Sequence, residues 1–188
     1  QNSNSLLLDS AEIGSKNSLQ SLILINAAVK ITCLGNQVTF RALNANGKQV
    51  LNEIHPVLSQ LGTVSAVNFD DEFSVQFAPL DNQLDEDSKL QAATIFDGLR
   101  VISHHYQHSS TPVFLGGLFA YDLVANFIPM QGVALKDDGI NCPDYSFYLA
   151  ENLITIDHQS QQATLKSFCF SQEEQVEVAK TALSIAQK

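Results

Sequence analysis

The clearest pattern along the chain is alternation. In AAVKITCLGNQVTFRAL, residues 27–43, the apolar Val29, Ile31 and Cys33 alternate with polar neighbours, as do Val38, Phe40 and Ala42. A period of two predicts half-buried strands, and Gly35-Asn36 between the runs is a two-residue hairpin signal. Val67, Phe69, Phe73, Val75 and Phe77 alternate on either side of Asp70-Asp71-Glu72, which predicts a second pair of strands. YSFYLAENLITIDHQSQQATLKSFCF, residues 145–170, reads as further strands with a hairpin loop near His158–Gln162. VFLGGLFAYDLVANF, residues 113–127, begins as a strand and turns helical after Tyr121-Asp122. Its Gly116-Gly117 pair removes side chains where another backbone or ring approaches closely.

Helical spacing fills the intervals. Asn17-x-x-Gln20 resembles a capping pair, and Leu19, Leu22 and Ile23 share a helical face, which predicts a short helix after the opening segment. From Gly47 to Leu61, Val50, Leu51, Ile54, Leu58 and Leu61 follow helical spacing, with Pro56 expected to kink or divide the element. A longer helix is predicted from about Ser88 to Tyr106. Its stripe is Ala92, Ile95, Phe96, Leu99, Ile102 and Tyr106, with Ser88-x-x-Gln91 as its capping box. Ser171-x-x-Glu174 starts a closing helix whose face is Val176, Ala179, Ala182, Leu183 and Ala186. Antiparallel pairs interrupted by helices, without regular βαβ alternation, predict an α+β class.

The opening run, LLLDSAEIGSK at residues 6–16, stops on Asp9 and Ser10. A strand that merely meets solvent would do this. So would a strand that carries a carboxylate and a hydroxyl to the lip of a binding site. The residues alone leave both readings open.

Composition narrows the classes. The chain has 188 residues, 45% hydrophobic and 16% charged, enough for one sizeable core. A formal net charge of −10 disfavours nucleic acid and anionic membrane as partners. Acidic clusters at Asp70–Glu72, Asp85–Asp87, Asp137–Asp138 and Glu173–Glu174 read as solvated faces and helix starts. Three widely spaced cysteines, Cys33, Cys142 and Cys169, suggest reduced thiols and a cytoplasmic protein, with Cys33 and Cys169 on strands in the core. No signal peptide or membrane-spanning run is visible. The start at QNSNS, not Met, reads as a fragment.

Catalytic signals are weak. His104 and His108 are four apart near a helix end, but without companion ligands they read as a solvated terminus. His55 and His158 are isolated. Tyr121-Asp122 reads equally well as a buried hydroxyl bonded locally. No phosphate cradle, nucleophile elbow or metal-ligand spacing is present, so the residues supply no catalytic constellation.

LLLDSAEIGSKNSLQSLILINAAVKITCLGNQVTFRALNANG resembles the N-terminal part of anthranilate synthase component I, and the likeness continues through LDEDSKLQAATIFDGLRVI, FLGGLFAYDLVANF, INCPDYSFYLAENLITIDHQ and the last helix. The Gly-Gly-Leu-Phe-x-Tyr-Asp-Leu element is shared with aminodeoxychorismate synthase. The N-terminal part of such an enzyme, or a stand-alone small-molecule binding module, is therefore the alternative. The resemblance implies half of a layered α/β/β/α fold with orthogonally packed sheets and helices outside. Residues 1–188 would form its regulatory and structural N-terminal domain.

The family's enzyme is a lyase that converts chorismate to anthranilate. It uses Mg²⁺, and its ammonia comes from a glutamine amidotransferase subunit. The residues for that chemistry belong to a chorismate-binding region with a Gly-Ala-Ser-Pro-Glu type element that this sequence lacks. No catalytic residue and no cofactor is therefore expected in this segment. What the resemblance implies here is allosteric feedback inhibition by L-tryptophan, bound between the N-terminal and catalytic regions. The family's Leu-Leu-x-Ser serine matches Ser10. The position before it, often Glu, is Asp9, and a basic position of the family's pocket falls at neutral Gln20. Apolar surface normally covered by the catalytic region would be exposed, and a homodimer through it is one expected outcome.

Overall fold

The computed structural model describes residues 4–9, 19–68, 71–79, 85–107, 112–127, 142–171 and 175–187. Among them eight strands join in one antiparallel sheet. They are β1 (Leu6–Leu8), β2 (Gln20–Leu34), β3 (Gln37–Ala42), β4 (Thr63–Asn68), β5 (Glu72–Gln76), β6 (Leu115–Phe119), β7 (Tyr145–Asp157) and β8 (Gln162–Ser167). The helices are α1 (Ala45–Leu61), α2 (Glu86–Gln91), α3 (Asp97–His105) and α4 (Gln175–Ala186), with a 3₁₀ turn at Tyr121–Asn126. This is the α+β class that the alternation predicts.

The long ladder of β2 and β7 is the spine, and it divides the sheet in two. The C-terminal half of β2 pairs with β3 and the N-terminal half of β7, giving the order β4-β5-β3-β2-β7-β6. The N-terminal half of β2 pairs instead with β1 and with the C-terminal half of β7, which β8 flanks. Register shifts between Leu24 and Val29 separate the halves. Such irregularities bend a strand and re-aim its side chains, and here Ala27, Ala28 and Val29 are buried in succession.

Each half has its own core. On the β3 side, Val29, Ile31, Cys33, Val38, Phe40, Phe73 and Val75 meet Val50, Leu51, Ile54 and Leu58 of α1. The predicted alternation faces this core. On the β1 side, Leu24, Ala27, Ala150, Leu153 and Phe168 form a smaller cluster, with Leu6 and Leu22 packed against it. The Gly35-Asn36 hairpin forms as expected, and Gly35 takes φ +57°, a left-handed value that glycine adopts without a Cβ penalty. Gly117 lies where a Cβ would stand 2.6 Å from the Phe147 Cα, the close approach its sequence context suggests.

Several local expectations give way to tertiary structure. The helix expected around Leu19, Leu22 and Ile23 is instead the start of β2. The contiguous run Leu22–Ile25 suits a strand paired on both sides, by β1 and β7. Pro56 does not divide α1, which runs unbroken. It sits on the exposed face with Asn52, so the unbonded Asn52 carbonyl faces water. The single helix expected from Ser88 to Tyr106 is two, α2 and α3. Asp85, not Ser88, caps α2 by accepting from the Ser88 N–H. Ile95, 3% exposed, breaks the run by entering the core, and its carbonyl accepts from the Tyr145 hydroxyl.

Three side-chain expectations also fail. Cys169 is exposed and lies beyond β8, its thiol on the Ser171 carbonyl, because the neighbouring Phe168 fills the core position. Tyr121 is 90% exposed and not a buried anchor, since the 3₁₀ turn presents Leu123 inward in its place. In α4 the expected face points outward, with Val176 and Leu183 each 63% exposed. The helix seats Val178 instead, because a second stripe of the same helix meets the sheet.

Candidate functional site

β1, the start of β2 and the β7–β8 turn converge at one corner of the sheet. Leu6, Leu7 and Leu8 pair with Leu24, Ile23 and Leu22, so the chain leaving β1 emerges beside Ser21. Asp9 follows with its carboxylate exposed. Ser10 lies outside the described residues. Gln20 opens β2 with its side chain exposed, directly across from Asp157 of β7.

The corner is tied together by a polar chain. Ser21, 4% exposed, donates from Oγ to Asp9 Oδ1 at 2.5 Å. His158 Nε2 stands 2.7 Å from the same Oγ. A serine hydroxyl has one proton. Spending it on the carboxylate leaves Oγ as the acceptor toward His158, so the imidazole carries its hydrogen on Nε2. The polarity of the chain is therefore His158 to Ser21 to Asp9. The opposite direction would set a serine lone pair against a carboxylate oxygen at 2.5 Å.

The turn that presents His158 is itself fixed. The His158 N–H donates to the Leu19 carbonyl at 2.9 Å. Asp157 Oδ1 accepts from the backbone N–H groups of Gln159 and Ser160 at 2.9 and 3.0 Å. The Ser160 and then the Gln159 amide hold the Asp157 carboxyl below its ordinary range. Asp9 Oδ2 takes no hydrogen bond among the described residues. The corner can thus offer one oriented carboxylate oxygen to an ammonium or another donor.

Asp9 bonds Ser21, whereas Gln20 precedes Ser21 on β2, where successive side chains alternate between faces. His158, which sequence alone leaves isolated, and Ser21, an ordinary strand serine by pattern, complete the corner. Their separations from their partners, 137 and 12 residues, put them beyond any local signal.

A second polar cluster lies across the bent spine. A cavity of about 320 Å³ is lined by residues that include Asn26, Asn44, Asn46, Glu151 and Thr181. Glu151, 6% exposed, accepts from the side-chain amides of Asn44 and Asn46 at 2.8 and 3.0 Å. Asn46 also donates to the Phe168 carbonyl and accepts from the Phe170 N–H. Asn44 caps α1 by accepting from the Gly47 N–H. This network is accounted for by fixing the start of α1 to β7.

The histidines of α3 serve structural bonds. His105 and Tyr106 meet Glu53 of α1 at 3.0 and 2.7 Å, and His104 lies 3.4 Å from Gln107. His108 lies outside the described residues. Among the described residues no group of three or more His, Cys, Asp or Glu could hold a metal, and no helix is long and apolar enough to cross a membrane.

The fold is an antiparallel α+β domain with a carboxylate-bearing corner, and its relatives give that domain a family. The chain is 86% identical over 187 residues to anthranilate synthase component 1 of Haemophilus influenzae, covering 100% of this chain and 36% of that protein. The Vibrio cholerae protein of the same name is 47% identical over 89% of this chain and 32% of its own length. That of Escherichia coli is 36% identical over 94% and 34%. The chain therefore belongs to the anthranilate synthase component 1 family and spans about a third of the length of these relatives. No protein-family model matches it. A solved structure of anthranilate synthase component I from Streptococcus pneumoniae aligns with 95% of this chain and 31% of that one, at 13% identity and a TM-score of 0.45.

Proposed function

We propose that this chain is the tryptophan-sensing and structural N-terminal domain of an anthranilate synthase component I in tryptophan biosynthesis. In this reading the whole protein makes anthranilate from chorismate with Mg²⁺ in the cytoplasm. A glutamine amidotransferase subunit supplies the ammonia. Those activities belong to the region outside this chain, and no step is routed here through a metal. This chain contributes the effector site and the surface on which the chorismate-binding region rests.

The observation that carries the reading is the corner at the end of β1. Asp9 presents a carboxylate whose Oδ1 is held by Ser21 and whose Oδ2 is open. An amino-acid ammonium takes such an acceptor, and a charge-assisted hydrogen bond is worth about 1.5–3 kcal/mol. Ser10 and Gln20 are assigned to the same ligand. The exposed Leu7, at 63%, offers apolar surface beside it for part of the indole.

Exposed apolar side chains support the second role. Leu118, Phe119 and Tyr121 at the β6 end, and Val176 and Leu183 on α4, are 52–90% exposed. On a chain about a third the length of its relatives, such surface suits contact with the rest of the same polypeptide.

Inhibition would follow from linkage. L-tryptophan stabilises an arrangement of the two regions that binds chorismate poorly, and chorismate disfavours tryptophan by the same coupling, typically about 1–3 kcal/mol. The test is steady-state inhibition of the whole protein carrying Ser10→Ala. The expected result is a higher tryptophan concentration at half inhibition. Collapse of turnover with inhibition intact would overturn the assignment.

A further inference from the structure

We propose that Ser21 and His158 are positioning residues that aim the Asp9 carboxylate at the effector's ammonium. The inference deepens the reading of β1 as the tryptophan-binding strand and rests on it.

The Asp9 side chain is exposed, and a solvated aspartate samples its rotamers freely. Here it does not. Ser21 Oγ fixes Oδ1 at 2.5 Å, and Ser21 itself is buried in a strand held on both sides. With its proton on Asp9, the Ser21 Oγ has its acceptor side toward His158 Nε2 at 2.7 Å, and a donor there holds the hydroxyl in that direction. Without that donor the hydroxyl could rotate toward other acceptors and release the carboxylate. His158 is in turn held by the turn. Its own N–H is bound to Leu19, and the adjacent Asp157 spends Oδ1 on the turn amides and does not compete for Ser21.

The arrangement leaves Oδ2 as the outward atom. Preorganising it removes part of the ordering cost that binding would otherwise carry. A carboxylate on the short aspartate stem has less reach than a glutamate, so its direction matters more. The polar chain also couples the β7–β8 turn to Asp9 through Ser21.

The experiment is tryptophan inhibition of the whole protein, each variant normalised to its own uninhibited rate, for Asp9→Ala, Ser21→Ala, His158→Ala, His158→Gln and the double variant Asp9→Ala/His158→Ala. Ser21→Ala and His158→Ala are expected to raise the half-inhibitory concentration about tenfold. His158→Gln, whose amide N–H can replace the imidazole donor, is expected to restore most of the inhibition. His158→Ala added to Asp9→Ala is expected to change nothing further, as a residue acting through Asp9 requires. His158 is exposed, so its variants test the inference even where Ser21→Ala impairs folding. If Asp9→Ala weakens inhibition while both His158 variants match the unmodified protein, the positioning role is wrong and the effector site stands. If Asp9→Ala itself leaves inhibition unaltered, the effector site is wrong. If His158→Ala and Asp9→Ala add independently, His158 acts by another route and the inference fails.

Discussion

The Tyr145 hydroxyl donates to the Ile95 carbonyl at 2.7 Å, joining β7 to the break between α2 and α3 across 50 residues. Tyr145 is wholly buried, so the bond has no water to replace it. Tyr145→Phe keeps the ring and orphans a buried carbonyl. It should lower unfolding stability by about 1–2 kcal/mol in urea. An unchanged midpoint would mean that the carbonyl is satisfied without the phenol.

Two glycines should respond to alanine for different reasons. Gly47 lies in the first turn of α1, where a Cβ would stand 2.0 Å from the Ala28 carbonyl oxygen of β2. Gly47→Ala must push the helix off the sheet, at a cost of about 3 kcal/mol. Gly35→Ala meets nothing within 4 Å but inherits φ +57°, which costs about 1–2 kcal/mol. Chemical denaturation of the two variants should give that order, and the reverse order would contradict the packing of α1.

Asn46 connects three elements through its one amide. Asn46→Ala removes donors from Glu151 and Phe168 and an acceptor from Phe170, leaving a buried carboxylate with less support. A loss of about 3 kcal/mol is expected, with faster exchange of the Phe170 amide hydrogen. Equal exchange in variant and parent would show that the bond is dispensable.

The cysteines should separate by reactivity. Burial first, and then the Asp144 charge, push the Cys33 thiol up to about 12. Cys142 and Cys169 are exposed. Iodoacetamide near pH 8 should label those two in the native protein and spare Cys33, read by peptide mass spectrometry. The same shift has a stability consequence. The folded value lies above the ordinary 9.0, so the thiol's contribution is complete below pH 9 and is lost as pH rises toward 12. Cys33→Ser should flatten that alkaline decline.

What the sequence showed depended on how far each signal reaches. Period-two runs identified β3, β5 and the second half of β2, because one face of each meets a core. The Gly35 turn was legible from two residues. Capping patterns misled where distant partners intervened. Leu22–Ile25 satisfies helix and strand templates alike, and only pairing with β1 and β7 decides between them. Ser88–Tyr106 has helical spacing throughout, but Ile95 is drawn into the core and bonded by Tyr145. The candidate corner follows the same rule. Asp9 announced itself as a carboxylate ending an apolar run, whereas His158 belongs to it through one contact spanning 137 residues.

The most direct test is a crystal structure of the whole protein with L-tryptophan bound. The account predicts the ammonium nitrogen within about 3 Å of Asp9 Oδ2, with Ser21 and His158 still joined behind Oδ1. Inhibitor density away from the end of β1 would contradict it.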